Sequence, residues 1–196
     1  MGTRNLTAVK INGKYKVAQY GQWDGYPGGQ GTNALKFLRS IVKKGQVEHF
    51  KSQLNICRFI TESKGKSMDK HLQKVGGELK DVYPLLTRDN GAKVLELIHK
   101  CAGDENGIIW IQNEIEFAED SLFCEWGYVI DFDKNTFEVY KGFNKEPLDK
   151  SERFYNKGHR EDNGYYPIKL VKSYDLNKLP TVNRMCKECD PPSKEE

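Results

Sequence analysis

Apolar and polar positions set the first elements. Residues 4–11 and 14–20 are two short β-prone runs separated by Asn12-Gly13. That pair supplies the two positive-φ positions of a type I′ turn, so a β-hairpin is predicted. The next stretch, residues 21–31, holds five glycines and a proline and is expected to be irregular. Thr32 then caps a predicted helix reaching Lys44, with Leu35, Leu38, Ile41 and Val42 as its apolar stripe and Gly45 as its stop. A second helix is predicted over residues 46–55. Residues 63–80, rich in Lys and Gly, read as partly helical with a break at Gly76-Gly77. Asp89 looks like the cap of a further helix to Lys100 that buries Ala92, Val94, Leu95 and Ile98 and finishes at Gly103.

Strand periodicity then returns. Residues 108–117 place Ile109, Ile111, Ile115 and Phe117 on one face, whereas residues 122–132 are apolar on both faces, as in a central strand with layers above and below. Asp133-Lys134-Asn135 turns the chain into a strand over 136–143, and a polar loop over 144–164 leads to a last strand at 165–173. The order is hairpin, helices, then a meander of strands. It predicts an α+β fold in a single domain over residues 1–179, an antiparallel β-sheet with helices packed on its faces. Residues 180–196, with Pro-Pro, many charges and no aromatic residue, read as a flexible C-terminal tail.

Composition narrows the function classes. The 196 residues are 37% hydrophobic and 11% aromatic, enough for a substantial core, and 31 Lys and Arg against 28 Asp and Glu leave a net charge of only +3. That balance argues against nucleic acid as a partner. No apolar run approaches the ~20 residues of a membrane span, so no membrane partner is expected. Five cysteines at uneven spacings, with no apolar signal core before them, read as reduced thiols of a cytoplasmic protein. Leu6 stands where N-myristoylation wants Ser or Thr.

No P-loop, nucleophile elbow, zinc-protease motif or dinucleotide fingerprint is present. The chemistry-bearing candidates are therefore few. The loop over 21–31 carries Trp23, Asp24 and Tyr26 beside Tyr20, on a backbone whose glycines free amides for a ligand. Its bland alternative is a wide turn with two rings covering the sheet edge. Cys186-x-x-Cys189 has metal spacing, but only a distant His159 or another cysteine would complete a zinc site, so two thiols in a tail are expected and no metal is assigned. Cys124 reads as a small core hydrophobe. Glu125 and Asp131, set among apolar neighbours, need cations, for which Arg4, Lys10 and Lys16 are candidates. His49, His71, His99 and His159 read as solvated side chains, and residues 64–80 as a solvated face.

Two resemblances rest on particular residues. Met1-Gly2-Thr3-Arg4, the run from Tyr15 to Pro27 that contains Tyr20-Gly21-Gln22-Trp23-Asp24-Gly25-Tyr26, the run from Arg88 to Ile98, and Asp120-Ser121-Leu122-Phe123-Cys124-Glu125-Trp126 together resemble a family of hypothetical proteins from fungi, bacteria and phages. That family carries no assigned activity. At the fold level, the run from Thr3 to Ala18 is similar to the start of proteasome-type N-terminal-nucleophile hydrolases, and the hairpin entered at Tyr128–Asp133 is similar to their late strands. This second resemblance implies an αββα sandwich, cleavage between Gly2 and Thr3, and Thr3 as a nucleophile using its own amine as base. Two positions depart from the pattern: Gln19 stands where the family has Asp, and Leu35, with Lys36 next to it, stands where it has Lys.

The functional expectation is a non-catalytic binding protein that holds a protein or small-molecule ligand through Arg4, Tyr20, Trp23, Asp24 and Tyr26. If the gene is viral, an inhibitor of a host system belongs to that class. The alternative is a small hydrolase of amide bonds with Thr3 as nucleophile. No cofactor is implied by either.

Overall fold

Asn12 and Gly13 adopt φ of 54° and 73° in the computed structural model, which describes residues 2–155 and 163–191, and they join β1 (Asn5–Ile11) to β2 (Lys14–Gly21) as the sequence predicts. The expected later hairpin is also present. β5 (Trp126–Asp131) and β6 (Thr136–Lys141) pair antiparallel around a turn in which Asp131 Oδ1 accepts from the backbone N–H groups of Asp133 and Lys134.

With β7 (Lys169–Asp175) these strands form one sheet of order β2-β1-β5-β6-β7. The residues of β5 are buried throughout, as the doubly apolar run predicts, and it is the middle strand. The sheet is mixed rather than wholly antiparallel, because β1 and β5 run parallel, with Asn5 opposite Trp126 and Val9 opposite Ile130. A second, two-stranded sheet pairs β3 (Cys57–Phe59) with β4 (Ile109–Ile111). The alternation past Ile111 does not extend that strand: residues Ile115–Glu119 wind into a 3-10 turn after Asn113 bridges to Ala18 at the edge of β2.

Side-chain alternation assigns the two faces of the large sheet. Val9, Ile11, Tyr128, Ile130, Phe137 and Val139 point to one face. Over it pack α1 (Thr32–Lys43), α2 (Val47–Ile56) and α5 (Val94–Lys100), through Leu35, Leu38, Ile41, Phe50, Leu54 and Leu95. Val42 departs from the expected stripe and is exposed, while Ala34 is buried in its place. α3 (Glu62–Val75), started by Thr61 and ended by Gly76 at φ 67°, and the short α4 (Leu79–Val82) bury only Met68 between them, so the Lys-rich stretch is a solvated face as expected.

The opposite face carries Leu6, Ala8, Val129 and Tyr140 and is covered by Ala118, Cys124, Leu148, Phe154 and Ile168 from irregular segments. Among the described residues no second large sheet stacks on this one, so the αββα layering implied by the hydrolase resemblance is absent there. The α+β class itself holds.

The chain after Leu179 corrects the expected boundary of the tail. Thr181 accepts from the Arg184 N–H and starts α6 (Val182–Cys189), which buries Met185 and Cys189 against Tyr174 and Leu176. Cysteines counted as hydrophobes explain this: Val182, Met185, Cys186 and Cys189 fall at helical spacing and make one apolar stripe. Residues 192–196 lie outside the described residues, as does His159.

Candidate functional site

The expected site residues gather where β1 begins and β2 ends. The loop after β2 is not wholly irregular: Pro27–Gly31 form one turn of π-helix leading straight into α1. Thr32 is accordingly the first residue of α1, not its cap, and its hydroxyl donates to Pro27 O at 3.0 Å. Glycine is required at Gly31, where a Cβ would come within 2.7 Å of the Tyr128 ring. Tyr128, buried in the central strand, donates its hydroxyl to Gly25 O at 2.6 Å. Its burial pushes the phenol well above its ordinary pKa, so it stays a donor.

Gln30 anchors the loop from inside. Its side-chain amide donates to Trp23 O at 3.1 Å, and its Oε1 accepts from Ala92 N at 2.9 Å. Gln30 N donates to Asp24 O and Gln22 N to Arg88 O, which fastens the loop to itself and to the segment before α5. Asp24 is at φ 53°, a left-handed conformation that Asp tolerates, and its carboxylate faces solvent. Asp24 therefore shapes the turn through its backbone; among the described residues its carboxylate holds no partner.

The rings remain outside. Trp23 is 51% exposed and Tyr26 43%. Trp23 covers Gly2 so closely that a Cβ there would overlap its ring, and its indole N–H donates to Asp89 Oδ1 at 3.1 Å. Arg4 lies next to this, its guanidinium 4.4 Å above the ring of Phe123, which is itself 42% exposed. Arg4 N donates to Glu125 Oε1, so Glu125 takes a backbone partner from Arg4 instead of an ion pair. Arg4 Nε is buried and meets no acceptor among the described residues. Tyr20 stands edge-on to Phe117 at 4.8 Å and donates to Gln22 Oε1 at 2.6 Å. Burial pushes its hydroxyl pKa up against the opposing pull of Arg4 and Arg88.

Phe123 and Phe143 are the members that sequence reasoning missed. Phe143 follows β6 at the same end of the sheet, 51% exposed, with its N–H donating to Ser121 O. Both fall inside the strands expected over 122–132 and 136–143, but β5 begins at Trp126 and β6 ends at Lys141, which leaves the two rings outside the sheet.

Thr3 belongs to the rim of this surface. It is half-buried, its carbonyl accepts from Gly25 N at 2.8 Å, and no side chain bonds its hydroxyl among the described residues. Gln19 sits opposite Thr7, four residues further along the strand, and its amide donates to Tyr20 O and Thr87 O.

Other expectations resolve as packing. Cys124 is fully buried, donates to Trp126 O at 3.5 Å and has its pKa driven far up by burial, as a core thiol. Asp131 takes its cation from Arg153, not from Arg4, Lys10 or Lys16. Arg153 Nη2 lies 2.6 Å from Asp131 Oδ2, and its Nε lies 2.7 Å from Glu138 Oε2. Tyr140 and Thr136 donate the remaining bonds to Glu138. This sealed clasp fixes the loop after Asn144 over the second face. The histidines are less solitary than expected, since His49 and His99 meet edge-on at 4.8 Å and His71 bonds the Tyr83 hydroxyl.

No group of three metal-ligating side chains occurs among the described residues, and none of their helices is long and apolar enough to cross a membrane. Compared with protein-family models, with curated proteins and with solved structures, the chain matches none.

Proposed function

We propose that this protein is a non-catalytic binding protein that docks on a partner protein through the aromatic end of its sheet. The observation that carries the reading is the exposure of Trp23, Tyr26 and Phe123 around Arg4 on a backbone fixed by Tyr128 and Gln30. Each ring is about half covered, and the remaining burial, worth roughly 1 kcal/mol, is recovered on a partner surface. Aromatic residues and Arg dominate binding hot spots, and a loop already ordered loses little further entropy on association. Arg4, Tyr20, Trp23, Asp24 and Tyr26 line neither the groove between α1 and α5 nor that beside β6 and β7, and a protein surface is the partner that exposed rings around Arg suit.

The test compares the wild-type chain with Trp23→Ala by quantitative capture from an extract of the source cells. The expected result is a protein retained by wild type and depleted about tenfold by the variant, whose unfolding free energy changes by about 1 kcal/mol or less, as for an exposed site. Identical capture profiles overturn the reading. Intact mass decides the hydrolase alternative: a mature chain beginning at Thr3 supports it, and a chain that retains Gly2 removes its nucleophile.

A further inference from the structure

A groove lies away from the aromatic surface, between α1 and α5, with a volume of about 930 Å³. Helical spacing builds its first wall, since Lys36, Ser40 and Lys44 succeed one another at four-residue intervals along α1 and its C-cap. Lys93 and Lys100 stand on the facing side, and Phe37, Ile41 and Leu97 supply apolar surface between the walls. Glu96 is the sole acidic residue lining the groove, and its carboxylate is taken by Lys100 at 2.6 Å. Among the described residues no carboxylate pairs with Lys36, Lys44 or Lys93. The lining thus carries +3 with its histidines neutral, as large as the excess of the whole chain.

We propose that this groove binds a small organic phosphate carrying two or more negative charges, with the phosphates between the lysines and the organic body on Phe37 and Leu97. The volume falls within the range of small-molecule sites, ~300–1,000 Å³. The lysines of the groove can meet a phosphate as point charges from several directions, and a group carrying two or more charges engages more than one of them. His49 closes the end of the groove with its Nε2 3.1 Å from His99 O, and His99 Nδ1 is buried without a partner among the described residues. Burial lowers the His99 pKa, and His49, Lys44 and Lys100 lower it further against the weaker pull of Glu96. The positive field that an anion would relieve is therefore felt by a side chain already there.

Calorimetric titration at low ionic strength tests this with ADP, inorganic pyrophosphate and citrate. ADP is expected to bind more tightly than pyrophosphate, and both more tightly than citrate. The double variant Lys36→Glu/Lys93→Glu, at two exposed positions, should weaken ADP binding by about tenfold or more, while Lys14→Glu/Lys172→Glu, an equal charge change elsewhere, leaves it within about twofold. The imidazole C2 proton signals of His49 and His99 should move on titration. Absence of ADP binding, equal losses in the two double variants, citrate binding as tight as that of ADP, or unmoved His49 and His99 signals each overturn the proposal. The aromatic surface takes no part in this test, so capture through Trp23 stands or falls separately.

Discussion

Arg153 shows what one side chain does in a sealed place. It and its two carboxylates are almost wholly inaccessible. Burial alone would raise both carboxyl pKa values, but the hydrogen bonds and charge of Arg153 outweigh it and hold Asp131 and Glu138 below their ordinary values. A depressed folded-state pKa contributes stability that is complete above the unfolded value, about 4, and is lost as pH falls through the folded one. Removing the cation leaves burial opposed only by the bonds that Asp131 accepts from the Asp133 and Lys134 amides and Glu138 from Tyr140 and Thr136, so both carboxyl pKa values rise toward or above their ordinary range. Urea unfolding followed across pH should thus show wild type losing stability on acidification below about pH 4, and Arg153→Met losing less over the same range, because its carboxyl pKa values lie closer to those of the unfolded chain. At neutral pH that variant should be about 3–5 kcal/mol less stable, the cost of stranding buried charge. The thiols give a second residue-scale expectation. Burial lifts Cys57 to about 12 and holds Cys124 well above the ordinary thiol range, whereas Cys101 and Cys186 are only half-buried. Alkylation of the native protein, read by peptide mass, should reach Cys101 and Cys186 first.

Elements whose own sequence decides them were readable, and elements decided by their neighbours were not. Asn12-Gly13 and the doubly apolar run into β5 needed no tertiary information, because turn geometry and strand burial act locally. Ile115 and Phe117 keep the right alternation yet sit in a 3-10 turn, since the strand there ends once Asn113 has bridged to Ala18. Reading Cys186 and Cys189 as two thiols in a flexible tail concealed that they complete the stripe of α6. The parallel pairing of β1 with β5 left no local trace, as adjacency in a sheet is not encoded in period. For the candidate site, Trp23, Tyr26, Arg4 and Tyr20 were found from composition, while Phe123 entered only through folding. α6 makes an element-scale prediction: Met185 is fully buried between helix and sheet, so Met185→Ala should lower the unfolding free energy by about 2–5 kcal/mol, measured by denaturant titration. A dispensable tail would show no change.

At the scale of the whole molecule, the sheet separates two different kinds of cover. Regular helices pack one face and hold the cationic groove on their outer side, while irregular loops pinned by Arg153 seal the other. The aromatic rings occupy neither face but the end where β1, β2, β5 and β6 meet. Three regions with separate chemistry thus share one framework, and changes in one should leave the others intact. The parallel neighbour of β1 has a consequence for how the chain is made. Hairpin partners emerge together, yet Arg4 and Glu125, joined by a hydrogen bond at the start of that pairing, are 121 residues apart. During synthesis the first hairpin must wait with one flank unpaired until the central strand leaves the ribosome, a long-range closure that slows folding and leaves a nascent edge for chaperones to shield.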